Sequence, residues 1–168
     1  MLIIGVDPGL TGAISLLCSE RGLLECEDLP TCGNGQNTGK MLRWIDVEKL
    51  QTMLSVWSAR HAFAERSVHA CIERPIPMPS MPSTTTASSF DTFGVVRALV
   101  TGKVAPNCMT VVDPSRWKKM FGLHTDKDGS IACAKRLYPD AGASLARKKD
   151  HNRAESILIG HWLLREVA

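Results

Sequence analysis

The first eighteen residues constrain the chain most. Leu2 to Asp7 is an apolar, β-branched run stopped by Pro8-Gly9, and an apolar run resumes from Gly12 to Leu17. Proline cannot donate to a strand ladder, and Pro-Gly turns the backbone. The two runs therefore predict a hairpin with its turn at Pro8–Thr11 and a carboxylate, Asp7, at the end of the first strand. An acid in that place either caps the turn or belongs to a site at the end of a sheet.

A third strand is expected at Leu23–Leu29, after Arg21-Gly22 and before Pro30. Residues 31–40, TCGNGQNTGK, are polar and Gly-rich and read as a mobile loop. They do not form a phosphate-binding loop, because Asn34 stands six positions before Lys40 where glycine is needed, and Met41 replaces the following Ser or Thr. Asp46 is placed to cap a helix whose Val47, Leu50, Leu54 and Trp57 recur at three- and four-residue spacing. Val68–Ile72 predicts a buried strand ending at Glu73. The next stretch, Arg74 to Thr86, holds Pro75, Pro77, Pro79 and Pro82 and is expected to be irregular. A helix over Ala87–Gly102 carries Phe90, Phe93, Val96, Leu99 and Val100 on one side. A strand at Met109–Val112 and helices at Ser115–Phe121, Gly129–Leu137 and His151–Val167 complete the pattern. This order describes one α/β domain, residues 1–168, with an antiparallel hairpin feeding a mixed sheet.

The six cysteines show no CxxC spacing, and several lie in apolar runs, which suits reduced thiols and a cytoplasmic setting. No apolar stretch approaches the roughly 18 residues of a membrane span, and MLIIGVDPG has no basic leader segment, so a soluble, unprocessed chain is expected. Charge is uneven. Residues 1–84 carry 7 Lys+Arg against 9 Asp+Glu, and residues 85–168 carry 13 against 8, giving −2 and +5. The second half therefore offers a side that suits a polyanion.

Two further acids stand out. Glu73 directly follows a buried strand. Pairing with Arg74 would explain it, but strand neighbours point to opposite faces. Glu155 stands at the first turn of an apolar helix and shares one side with His151 and Asn152. Asp150 lies about 140° away from Glu155 on a continuous helix and can join it only from a cap position. Strand-end and helix-start carboxylates together make an all-oxygen donor set suited to Mg²⁺ or Mn²⁺ rather than zinc.

These residues resemble a known family. GVDPGLTGAI at 5–14, IERP at 72–75 and DHNRAESILIGHW at 150–162 are similar to motifs of the RuvC Holliday-junction resolvases, particularly phage and prophage versions, with FGVVRALV at 93–100 and DPSRWKKMFGL at 113–123 extending the likeness. The resemblance implies an RNase H-like fold with a central mixed five-stranded sheet flanked by helices. It also implies a homodimer and two Mg²⁺, replaceable by Mn²⁺, held by Asp7, Glu73, Asp150 and Glu155. The family places an acid or histidine three residues before the last ligand, where this chain has Asn152. The fourth ligand is accordingly Asp150, reaching in as a cap, or His151, with Asp150 favoured.

Basic residues gather at Arg116, Lys118 and Lys119 and at Arg147, Lys148, Lys149 and Arg153. A solvated charged face would explain either run. Proximity of the second to the expected metal site favours contacts to substrate phosphates, and Arg74, Lys118 and Lys119 are the candidate DNA contacts. The loop Ile76-Pro-Met-Pro-Ser-Met-Pro is a stiff connector or an apolar wedge at an opened junction. The implied activity is Mg²⁺-dependent resolution of four-way DNA junctions by phosphodiester hydrolysis. A broader nuclease for branched DNA and a non-catalytic DNA-binding module are the alternatives.

Overall fold

A computed structural model describes residues 1–33, 43–123 and 127–167. Its strands are β1 (Leu2–Asp7), β2 (Ala13–Cys18), β3 (Gly22–Asp28), β4 (Thr31–Gly33), β5 (Arg43–Ile45), β6 (Val68–Glu73) and β7 (Met109–Val112). Its helices are α1 (Val47–Arg60), α2 (Ser83–Thr101), α3 (Pro114–Met120), α4 (Lys127–Leu137) and α5 (His151–Val167). Five strands form one mixed sheet in the order β3-β2-β1-β6-β7, and β4 pairs with β5 in a separate ribbon. β1–β2 and β2–β3 are antiparallel, whereas β1–β6 and β6–β7 are parallel.

The parallel half of the sheet is buried on both faces by helices, as parallel strands require. Leu2, Ile4 and Val6 face a core with Leu50, Leu54, Trp57, Val96 and Val100 from α1 and α2. Ile3, Leu17 and Cys71 face the other core, with Trp117, Ile157, Leu158 and Trp162 from α3 and α5. The alternation in β1 thus assigns Ile3, Gly5 and Asp7 to the α5 side.

Two glycines make this geometry possible. A Cβ at Gly5 would sit 2.2 Å from the Ser156 carbonyl oxygen and 2.6 Å from the Gly160 nitrogen, so only glycine lets α5 lie directly on β1. A Cβ at Gly12 would meet the Asp7 carbonyl oxygen at 2.2 Å, which keeps the turn after Asp7 tight. That turn is closed by Gly12 N–H donating to the Gly9 carbonyl at 2.9 Å.

Several boundaries differ from expectation. α2 begins at Ser83, inside the stretch expected to be irregular, with Pro82 in the cap position and Thr86 N–H bonded to the Pro82 carbonyl. The four prolines end at 82, and the Ser/Thr run beyond them, of modest helix propensity, is recruited by the packed apolar residues downstream. Residues 31–33 are strand β4 rather than loop, because β5 supplies a partner. The rejected phosphate loop, residues 34–40, falls outside the described residues. Asp46 caps α1 as expected, accepting from Lys49 N–H at 3.1 Å. All six cysteines are unpaired, and no described helix is long and apolar enough to cross a membrane.

Candidate active site

Topology brings three acids to one end of the sheet. β1 and β6 are parallel neighbours in the register Val6↔Ile72, so Asp7 and Glu73 finish adjacent strands at the same level. Paired residues of parallel strands project to the same face, here the α5 face. α5 runs back along β1 from its first turns, where the Asn152 side-chain amide donates to the Thr11 carbonyl, to Gly160 against Gly5. Its second turn carries Glu155 to the end where β1 and β6 stop.

The short helix α3 serves both glutamates with consecutive residues. The buried Trp117 donates its indole N–H to Glu73 Oε2 at 2.5 Å. Lys118 places its ammonium 3.8 Å from Glu155 Oε1, and Ser130 of α4 donates to the same oxygen at 3.2 Å. Burial pushes Glu73 up to about 7, and the Glu155 charge adds to that rise while the Trp117 N–H and Lys118 oppose it. Two carboxylates thus share a desolvated corner with the Lys118 ammonium against them.

Asp150 departs from the expected arrangement. A three-residue 3₁₀ turn, Lys148–Asp150, precedes α5, and Asp150 closes it by reaching back rather than by capping the helix inward. Its carboxylate, 3% exposed, accepts from Arg147 Nη2 at 2.7 Å, Arg147 Nε at 2.9 Å and the Arg147 backbone N–H at 2.7 Å. This fork holds Asp150 well below the usual carboxylate range and spends its lone pairs away from Glu73 and Glu155. His151 lines a cavity with Arg147 and Asp150. Asn152 is tied to the β1–β2 turn through the Thr11 carbonyl and hydroxyl.

Among the described residues no group of three or more His, Cys, Asp or Glu side chains is arranged as a ready metal cage. Glu73 is turned to Trp117 and Glu155 to Ser130 and Lys118. The donor set nevertheless fits a hard divalent cation by its chemistry, being all oxygen, crowded with negative charge and partly desolvated. Of the candidate DNA contacts, Lys118 joins the acid site directly. Arg74 is exposed and lies 3.7 Å from Asp113, and Lys119 is exposed on α3. Trp117 and Ser130 were missed by sequence reasoning. A tryptophan 44 residues beyond Glu73 gave no sign that its N–H, rather than its ring, would matter.

The sheet order and the parallel β1–β6 pair give an RNase H-like fold. Within that class the fold is similar to that of solved RuvC structures. The fold matches the Thermus thermophilus RuvC bound to a Holliday junction substrate with a TM-score of 0.63 at 13% identity, covering 100% of this chain and 96% of that one. It matches a second Thermus thermophilus RuvC structure with a TM-score of 0.54 at 12% identity, covering 99% and 97%. In sequence, 51 residues are 43% identical to the chloroplastic Holliday junction resolvase MOC1 of Chlamydomonas reinhardtii. That match spans 29% of this chain and only 6% of the relative's length. No family model matches the chain.

Proposed function

We propose that this chain is a metal-dependent endodeoxyribonuclease that resolves four-way DNA junctions, with Asp7, Glu73 and Glu155 as its metal-binding acids. The observation that carries the reading is the convergence of these three acids, from two adjacent parallel strands and the facing helix, in a fold shared with a RuvC captured on a junction.

Asp7, Glu73 and Glu155 would hold the divalent ions, Mg²⁺ with Mn²⁺ as substitute, which supply an activated water and charge neutralisation at the scissile phosphate. The protein's own part is positional. Trp117 holds one oxygen of Glu73 and so fixes the orientation of the other. Lys118 and Ser130 hold Glu155 in the same way until substrate and metal arrive. Lys118 is then free to meet a phosphate, a charge-assisted contact that its half-buried position strengthens. Lys119 and Arg74 continue the basic edge on the β6–β7 side.

A homodimer presenting two such sites to symmetry-related strands accounts for paired incisions. α2 suits the two-fold contact, since Phe90 is 42% exposed and a Cβ at Gly94 meets nothing within 4 Å. The exposed Ile76 of the Pro-rich loop lines a groove with Pro8, next to Asp7, and with the exposed Met78 of the same loop fits a wedge at the branch point. Cleavage assays with Mg²⁺ on matched four-way, three-way, flap and duplex DNA test the proposal. Symmetric nicks in the four-way substrate are expected, and equal cutting of all four would replace it with general branched-DNA cleavage.

A further inference from the structure

Beside the acid site, across the N-terminus of α5, lies a cavity of about 380 Å³ lined by Leu10, Thr11, Asp28, Arg43, Arg147, Lys149 and the first residues of α5. Its two acids are already engaged, Asp28 by Arg153 at 2.6 Å and Asp150 by Arg147 at 2.7 Å. Its cations are not matched in the same way. Arg43 donates to the Thr31 hydroxyl, and neither Arg43 nor Lys149 has an ion pair among the described residues. Arg147 gives Nε and Nη2 to Asp150, which leaves Nη1 for a ligand on a side chain that remains half exposed.

We propose that this cavity is a second docking site for the nucleic-acid backbone, taking a phosphate of the strand that crosses the acids, with Asp150 positioning Arg147 for it. The proposal rests on the reading of the acid site as a nuclease centre and extends it to the opposite flank. Three features carry it. The cavity opens at the same sheet end as Asp7, because its floor is the β1–β2 turn that follows that residue. Its cations come from two separate segments, Arg43 of β5 and the Arg147–Lys149 stretch at the 3₁₀ turn, so they do not form one solvated stripe. The buried Asp150 orients a guanidinium at the rim by two side-chain bonds and a backbone bond, a fixed fork of the kind that suits phosphate recognition. Lys118 and Arg74 on one flank and Arg43, Arg147 and Lys149 on the other then give a strand phosphate partners on both sides of the acids.

The test is equilibrium binding in EDTA of a labelled four-way junction and of a five-nucleotide single strand, across a salt series, with the whole chain as wild type, Arg147→Ala and Lys149→Ala. Each substitution is expected to weaken binding several-fold and to lower the salt slope by about 0.9 for a duplex contact or about 0.7 for the single strand. Lys149→Ala disturbs no partner of Asp150, so the site remains testable if Arg147→Ala misfolds. Junction binding with unchanged slopes in both variants removes the cavity while leaving the junction reading intact. Short-strand binding that depends on Arg147, without junction binding, keeps the cavity and removes the junction reading. Binding of neither probe overturns both. The positioning role of Asp150 is read by Mn²⁺ titration calorimetry: Asp150→Asn is expected to hold Mn²⁺ within twofold of wild type, and a loss above tenfold would make it a ligand instead.

Discussion

Glu73 and Trp117 show how one hydrogen bond defines a reactive carboxylate. The indole N–H donates to Glu73 Oε2, and a bond to a charged acceptor is worth about 1.5–3 kcal/mol. Trp117→Phe keeps the ring and removes the donor, so it should lower the cleavage rate roughly 10- to 100-fold at that energy and raise the Mg²⁺ needed for half-maximal rate. A titration of rate against Mg²⁺ checks this, and wild-type behaviour would return Trp117 to a packing role. Glu73 also makes metal-free stability pH-dependent. Its folded pKa of about 7 lies above the ordinary 4.5, so the folded state holds the proton more tightly. That contribution is fully present below about pH 4.5 and is lost as pH rises through about 7. At about 1.36 kcal/mol per pKa unit the loss is at most about 3 kcal/mol. Glu73→Gln in EDTA should therefore melt higher than wild type at pH 8 and alike at pH 4.5, and equal melting at both would show that the carboxylate is not desolvated. With Mg²⁺ the same variant should lose cleavage entirely while still binding junction DNA.

At the scale of elements, the account turns on α5 lying against β1. Gly5→Ala would drive a methyl into the Ser156 carbonyl and the Gly160 backbone, which cannot yield, so a destabilisation of about 3 kcal/mol or more is expected from such overpacking. Gly160→Ala meets first the end of the Leu17 side chain, at 2.7 Å, which can turn aside. Denaturant melts should rank Gly5→Ala well below Gly160→Ala, and the reverse order would mean that α5 is not seated as described. The elements themselves were largely legible. β1, β2, β6, β7 and α5 follow from apolar runs punctuated by Pro, Gly or an acid, signals that are local. The start of α2 was not, because Ser83–Thr86 enters a helix through packing further along rather than through its own propensity. The Arg147 partner of Asp150 was not legible for a related reason: Asp150 ends a 3₁₀ turn directly before α5, and its carboxylate bonds back across that turn to Arg147. Asp7, Glu73 and Glu155 stand out in the sequence because each sits where an apolar pattern is interrupted at the end of an element. Their donors, Trp117 and Ser130, come from α3 and α4 and are distant in sequence, and no local spacing reveals such a contact.

At the scale of the whole molecule, the acids occupy one end of the sheet with cations on both flanks, and the exposed faces of α2 and the Pro-rich loop adjoin them. If α2 pairs with its two-fold mate, a charge at the exposed Phe90 should give a folded monomer that no longer makes paired nicks, whereas a wild type that sediments as a monomer with junction present would remove the dimer. Replacing Lys118 and Lys119 together by alanine should lower the salt slope of junction binding by up to about 1.8. The central claim is that Asp7, Glu73 and Glu155 form one metal-dependent cutting centre directed at branched DNA. Its most direct test is single-turnover cleavage of a four-way junction and its matched duplex with Mg²⁺ by wild type, Asp7→Asn, Glu73→Gln and Glu155→Gln. The account predicts symmetric paired nicks in the junction alone, and their loss in all three variants with binding retained. Cleavage of the duplex at the junction's rate, or a tenth of wild-type activity surviving in any of the three, would contradict it.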